Sequence, residues 1–271
     1  MAERFLVVGP TSFYGANFIK LLESKGCEVN TLSLRNWTPD QLKGDYVVNF
    51  AAANIVAQSW VTPAEYMLTN VVALTELLEA LRKRPIRKYV HVSTPEVYGS
   101  VDAWVSEEQP FNPTTPYAVS RAAGDMLLMA YVQAYKLPAV ITRTANVYGP
   151  GQPNNRIVTK ALECKKRGEK LNLDGSGNTI RCFTHVRDAC EALYLTALKG
   201  RVGETYHISG WEPLSILNLV SKIGCEWQSV PERLGKDYAY KLDSTKIRKL
   251  GWMDKISLEE GLKECESSIS A

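Results

Sequence analysis

The chain has 271 residues, of which 45% are apolar and 23% charged, an ordinary balance for a globular protein of one large domain or one domain with a small annex. A net charge of +3 is too small to argue for nucleic acid or an anionic membrane as partner. The six cysteines include no Cys-x-x-Cys pair and no histidine at ligand spacing, so no metal is expected and the thiols read as reduced packing residues of a cytoplasmic protein.

The N-terminus runs straight into an apolar strand at 5–8, so no signal peptide is expected, and no apolar run approaches the length of a membrane span. Gly9 ends that strand, a helical pattern covers about 14–25, Gly26 stops it, and 29–34 reads as a second strand. A third strand at 46–50 arrives after a short polar connection containing Trp37 and Pro39. That connection is too short for a crossover helix plus a strand, so this half of the sheet is expected to be pared down. Pro63 opens a helix to about residue 83, followed by a strand at 88–93, a helix at 115–135 and a strand at 139–144. The basic clusters Arg82-Lys83-Arg84 and Lys165-Lys166-Arg167 read as solvated helix ends.

Strands alternating with helices predict an α/β fold, a Rossmann-like doubly wound parallel sheet. After the Gly149-Pro150-Gly151 break the elements shorten, with helices at 186–198 and 215–223. The expected organisation is a dinucleotide-binding domain over 1–150 and a smaller, interleaved substrate-binding region over 151–271, with a soft boundary.

Gly9-Pro10-Thr11-Ser12-Phe13-Tyr14-Gly15 lies between the first strand and the first helix. Gly9 permits a tight turn, Gly15 permits close packing of helix on strand, and the helix N-terminus is then free to hold a pyrophosphate. Ser12 stands at the middle glycine position and could hydrogen-bond a phosphate oxygen. The second strand ends without the usual carboxylate for a ribose. Ser33 and Arg35 there could accommodate a 2′-phosphate, or Arg35 could simply face solvent, which leaves NAD and NADP both open.

Chemistry concentrates at Ser93-Thr94-Pro95-Glu96-Val97-Tyr98-Gly99, where a strand end offers a hydroxyl at Thr94 and a carboxylate at Glu96. On the following helix, Tyr117 and Arg121 are four residues apart and share a face. A cation there is expected to lower the phenol's pKa, completing an acid–base site. His91 and His207 read as packed or hydrogen-bonded, and His185 as a helix cap or a pocket contact. Trp60, Trp211, Trp227 and Trp252 read as packing aromatics, one of which could stack on a base.

With these motifs the chain resembles the extended short-chain dehydrogenase/reductase family, and within it the nucleotide-sugar epimerases and 4,6-dehydratases. The resemblance extends through Asn49-Phe50-Ala51-Ala52, Asn70, Pro116-Tyr117-Ala118-Val119-Ser120, Arg143 to Gly151, Gly175 to Phe183, His185-Val186-Arg187-Asp188 and Leu250-Gly251-Trp252. It implies a tightly bound, internally recycled NAD or NADP held by Gly9, Ser12, Phe13, Tyr14, Gly15, Ser33, Arg35, Ala51, Ala52 and Asn70. It implies Tyr117 as the base at the sugar C4 hydroxyl, Thr94 as its hydrogen-bonding companion and Arg121 in support. Asn146, Arg181 and Arg233 would hold the diphosphate of a nucleotide-diphosphate sugar. The helices from Pro63 and from Thr115 would form a homodimer.

Glu96 separates the subfamilies. Oxidation at C4 makes the C5 proton acidic, and a carboxylate in reach can remove it before the C6 hydroxyl leaves; a 4-epimerase needs no such base. Two departures stand against the dehydratase pattern. Pro95 occupies the place of an aspartate that protonates the departing hydroxyl, and Arg121 replaces a lysine. The reading is therefore a 4,6-dehydratase, with a 4-epimerase or a non-catalytic nucleotide-binding protein as alternatives.

Overall fold

The computed structural model describes residues 2–210, 212–232, 235 and 239–270. β1 (Arg4–Val8), α1 (Phe13–Ser24) and β2 (Glu28–Leu32) form the first βαβ unit, and β3 (Tyr46–Asn49) follows a connection whose regular structure is one 3-10 turn, Pro39–Gln41. α2 (Val56–Ser59), α3 (Pro63–Met67) and α4 (Ala73–Leu81) lead to β4 (Lys88–Ser93), with a π-helical turn, Leu68–Val72, joining α3 to α4. After the short β5 (Trp104–Val105), α5 (Pro116–Tyr135) returns the chain to β6 (Ala139–Thr144). The remainder comprises β7 (Asn146–Tyr148), α6 (Ile157–Arg167), β8 (Leu171–Asp174), β9 (Ile180–His185), α7 (Val186–Lys199) and β10 (Thr205–Ile208). It ends with β11 (Pro213–Ser215), α8 (Ile216–Ile223), β12 (Trp227–Val230), β13 (Lys241–Leu242), α9 (Thr245–Arg248) and α10 (Leu258–Ser270).

Six parallel strands lie in the order β10-β6-β4-β3-β1-β2. Side chains alternate across each strand, so a sheet buried on both faces needs apolar residues at every position. β1 meets that demand: Phe5 and Val7 pack with Phe18 and Leu22 of α1 and Leu193 of α7, while Leu6 and Val8 pack with α4 and α5 on the other face. α4 contributes Leu74, Leu77, Leu78 and Leu81, the i, i+3, i+4, i+7 spacing of one helical stripe. Each such buried leucine is worth roughly 1.5–3 kcal/mol of transfer free energy.

The reduced second half of the sheet is as the sequence predicts. β2 is an edge, and among the described residues no strand lies beyond it. The expected strand at 29–34 stops at Leu32 because its neighbour β1 ends at Val8, the register partner of Leu32. Helices expected from 14, 115 and 215 begin at Phe13, Pro116 and Ile216. In each case a hydroxyl residue, Ser12, Thr115 or Ser215, caps the first turn by accepting a backbone N–H, and Pro116 takes the first helical position, where its missing N–H costs nothing.

α7 and β10 lie beyond residue 151 yet complete the main layers, α7 against α1 and β10 beside β6. A second, smaller core gathers Tyr148, Leu162, Leu171, Leu173, Leu219 and Leu262 around α6, α8 and α10. The order reverses between β1 and β3, because β1 feeds β2 on one side while β3 pairs on the other. Their carboxyl ends form the crevice where open α/β sheets take ligands.

Candidate active site

At that crevice Gly9 has φ +79°, and a Cβ added to it would lie 2.8 Å from the amide nitrogen of Ala51. A Cβ at Gly15 would lie 2.7 Å from the carbonyl oxygen of Gly9. Both positions therefore require glycine, one for conformation and one for close approach. Helix geometry leaves the amides of the first turn of α1, at Phe13 and Tyr14, without intrahelical acceptors and aimed into the crevice. This backbone cradle fits a dinucleotide's pyrophosphate.

The Ser12 hydroxyl accepts from Gly15 N at 3.0 Å and lies 2.9 Å from Gly9 O, closing the turn at the start of α1. The Tyr14 hydroxyl donates to Ala189 O at 2.9 Å, fastening α1 to α7. Ser33 and Arg35 are exposed just beyond the β2 edge. Asn70 holds the loop after β3: it accepts from Ala53 N at 2.8 Å, donates to Ala53 O at 3.1 Å and donates to Ser120 Oγ at 2.9 Å. Asn49 fixes the same loop from below by accepting from Ala51 N at 2.9 Å.

At the end of β4, Thr94 caps the 3-10 turn Pro95–Tyr98, its Oγ1 accepting from Glu96 N at 3.3 Å. Tyr117, 8% exposed, stands in the first turn of α5 with its ring edge-to-face against Tyr66 at 6.3 Å. Thr94 lies near enough to the Tyr117 phenol to favour its ionised form, and the half-buried Glu96 acts on it electrostatically. Burial raises the phenol's pKa above its ordinary value; Arg121 lowers it, the direction the four-residue spacing leads one to expect, without overcoming burial, and Glu96 adds to the rise.

Arg121 is 3% exposed and turns beneath the site. Its guanidinium donates to the carbonyl of Val92 and lies 3.4 Å from His91 Nε2, while its buried Nε has no hydrogen-bond partner among the described residues. The residue therefore supplies charge from within the core.

Asn146 opens β7, half-buried, and the Arg181 guanidinium of β9 sits over the Tyr240 ring, 4.1 Å from its centroid, while donating to Ile180 O at 2.7 Å. Arg233 lies outside the described residues. Arg156, the exposed residue preceding α6, lowers the Tyr117 phenol, and sequence reasoning missed it, because a lone arginine in a polar loop carries no local signal.

His91 and His207 are buried and hydrogen-bonded, His91 to Tyr89 and His207 to Tyr98 and Val105 O, and burial pulls both down to about 3. His185 caps α7, accepting from Arg187 N at 3.3 Å. Trp252 packs and donates to Asp188 O at 2.9 Å. Trp60 and Trp227 are 45% and 37% exposed rather than packed, since each sits on a short peripheral element; Trp211 lies outside the described residues.

A doubly wound parallel sheet with a tyrosine helix beside the β4 end defines an NAD(P)-dependent enzyme of the extended short-chain dehydrogenase/reductase class. Within that class the family model for GDP-mannose 4,6 dehydratase matches residues 38–265, and the chain belongs to this family. A relative from Streptomyces niveus, dTDP-glucose 4,6-dehydratase, is 35% identical over 306 residues, covering 96% of this chain and 91% of the relative. That alignment is longer than the 271-residue chain, so the relative carries segments absent here. Among solved structures, a double mutant of DesIV, the dTDP-glucose 4,6-dehydratase of Streptomyces venezuelae with NAD bound, superposes with a TM-score of 0.91 at 30% identity, covering 98% of this chain and 97% of the other. UDP-glucose 4-epimerase from Thermotoga maritima gives 0.90 at 28% identity, covering 98% of both chains.

Proposed function

We propose that this protein converts a nucleotide-diphosphate hexose to its 4-keto-6-deoxy form, with Tyr117, Thr94 and Glu96 as the groups that touch the sugar. The observation that carries this reading is that Thr94 and Glu96, on the turn after β4, both lie within electrostatic reach of the buried Tyr117 phenol at the sheet's carboxyl end. A nicotinamide cofactor seated on the Gly9–Gly15 turn supplies the hydride acceptor and, later, donor. The reading takes it as NAD, the cofactor of the DesIV structure, and the exposed Arg35 leaves room for a 2′-phosphate.

Tyr117 takes the proton of the C4 hydroxyl while Thr94 orients that hydroxyl. Glu96, on the turn after β4, removes the C5 proton once C4 is a ketone. Because Pro95 has no proton to donate, the departing C6 hydroxyl receives its proton from Glu96 itself after C5 deprotonation, or from water. Asn146, Arg181, Arg233 and Arg156 serve the diphosphate side, and residues 151–271 supply most of that cover over a cofactor-binding 1–150.

The helices flanking the site carry an exposed apolar face: Leu68 and Val72 one turn apart, and Val119 and Met126 two turns apart on α5. A face of this kind on adjacent helices suits a second copy of the chain, and we assign the protein as a cytoplasmic homodimer. Among the described residues no helix is long and apolar enough to cross a membrane.

Pro95 favours a second reading, a 4-epimerase, in which Glu96 has no role. Incubation with nucleotide hexoses in deuterated water separates the two. Deuterium at C5 with loss of the C6 hydroxyl supports dehydration; inversion at C4 without C5 exchange supports epimerisation; binding without turnover defeats both.

A further inference from the structure

Between the catalytic helix and the sheet lies a polar layer that the acid–base reading of Tyr117 does not use. Asp125 is 1% exposed and sits on α5 one turn beyond Arg121 and two beyond Tyr117. Its Oδ2 accepts from Ser93 Oγ at 2.9 Å and from Arg143 at 3.2 Å (Nε) and 2.8 Å (Nη2). Its Oδ1 faces His91 Nε2 at 3.6 Å, with no hydrogen-bond partner among the described residues. One carboxylate thus joins α5 to the last residue of β4, next to Thr94, and to β6.

The histidine is held from both sides. Asn49 Nδ2 donates to the Tyr89 hydroxyl at 2.9 Å, and that hydroxyl meets His91 Nδ1 at 3.2 Å. The Nε2 of the neutral imidazole lies between Arg121 Nη2 at 3.4 Å and Asp125 Oδ1 at 3.6 Å. The layer holds two buried guanidiniums, Arg121 and Arg143, each 3% exposed, against the single carboxylate of Asp125. Arg143 also donates to the Tyr98 hydroxyl, which meets His207 Nε2 at 2.7 Å.

We propose that Asp125 is a positioning residue for Tyr117: its carboxylate fastens the ends of β4 and β6 to the catalytic helix and cancels one of the two buried guanidinium charges, leaving one net positive charge beneath the phenol. The inference rests on the assignment of Tyr117 as the base. The groups facing Tyr117 are Thr94 and Glu96 at the β4 end, Tyr66 of α3, Arg121 of its own helix and Arg156 before α6. Those facing Asp125 are His91, Ser93 and Arg143, with Tyr89 and Tyr98 in electrostatic reach and Arg121 one turn away on the same helix.

Eight helical residues rise about 12 Å along the axis, where removing one charge at an effective dielectric near 20 moves an acid by about one pH unit. The test is the ionisation of Tyr117, read as the ultraviolet difference between each protein and the same protein carrying Tyr117→Phe. In Asp125→Asn, which keeps shape and removes charge, Tyr117 ionises about one pH unit lower than in the wild type. In Ser93→Ala, which removes a hydrogen bond without charge, it does not move. In Arg143→Gln it moves upward, because Asp125 then offsets Arg121. An unchanged titration in Asp125→Asn overturns the proposal. If that variant does not fold, Arg143→Gln decides: an upward shift supports the proposal and no shift overturns it. The titration needs no turnover, so a protein inactive toward every nucleotide hexose still reports on Asp125, and a failed titration leaves the sugar chemistry standing.

Discussion

Asn70 on the π-helical turn and Ser120 on α5 meet, the amide Nδ2 of one 2.9 Å from the hydroxyl of the other. The same amide grips both backbone groups of Ala53, so a single side chain sets the spacing between the loop after β3 and α5. In Asn70→Leu the Ala53 amide and carbonyl lose their partners, a cost of about 1–3 kcal/mol per unsatisfied group. Cofactor affinity, measured by titration calorimetry, falls about tenfold for each 1.4 kcal/mol lost from the bound geometry. Equal affinity in the variant would show that the loop needs no such anchor.

Tyr117→Phe removes the proton acceptor while leaving the ring packed against Tyr66. Its turnover falls by about 10²–10⁴, with thermal stability close to the wild type. Turnover retained within tenfold would transfer the role of base to another group.

Glu96→Gln separates two steps. Exchange of the C5 proton in deuterated water stops, while transient reduction of the cofactor, followed by absorbance, persists. Should C5 exchange survive, Glu96 has no part in the chemistry.

Arg121 opposes the rise in the Tyr117 pKa that burial causes. Arg121→Met removes that opposition, so the phenol's pKa climbs further and the phenolate forms only at higher pH. The acid limb of kcat against pH therefore moves upward by about one to two units, and the rate at neutral pH drops while the rate at alkaline pH partly recovers. A limb that stays in place or moves downward would contradict the electrostatic role.

His91 and His207 both sit well below the ordinary imidazole value, at about 3, chiefly through burial. Both stay neutral in the fold, whereas the unfolded chain protonates them near pH 6.5. Between about pH 6.5 and pH 3 the unfolded state binds more protons, so stability is complete above that window and falls as pH drops through it, by up to roughly 1.4 kcal/mol per unit for each histidine. Burial depresses His185 too, so urea unfolding at pH 7, 6 and 5 reads the slope of three histidines, and His207→Gln reduces it by about a third.

Much of this architecture was legible because it depends on local rules. The apolar runs of β1, β3, β4 and β6 are what a sheet covered on both faces demands, and the 13-residue gap between β2 and β3 announced a missing unit before any coordinate did. Tyr117, Thr94 and Glu96 could be paired because each sits at a strand end or helix start. What stayed hidden was long-range: the four-residue spacing to Arg121 said nothing of how deeply the phenol would be buried. Asp125, Arg143, His91 and Tyr98 come from four separate segments, and only the folded sheet brings them together. Arg156 reaches Tyr117 from the other side of the chain's midpoint.

The late arrival of β10 has a consequence for biosynthesis. A nascent chain released only through Gly151 would have β6 with a bare hydrogen-bonding edge and Phe18 and Leu22 without the helix that covers them. The nucleotide-binding half is thus committed only after the ribosome has passed residue 208, and a fragment ending at the apparent domain boundary would present a sticky strand edge for self-association.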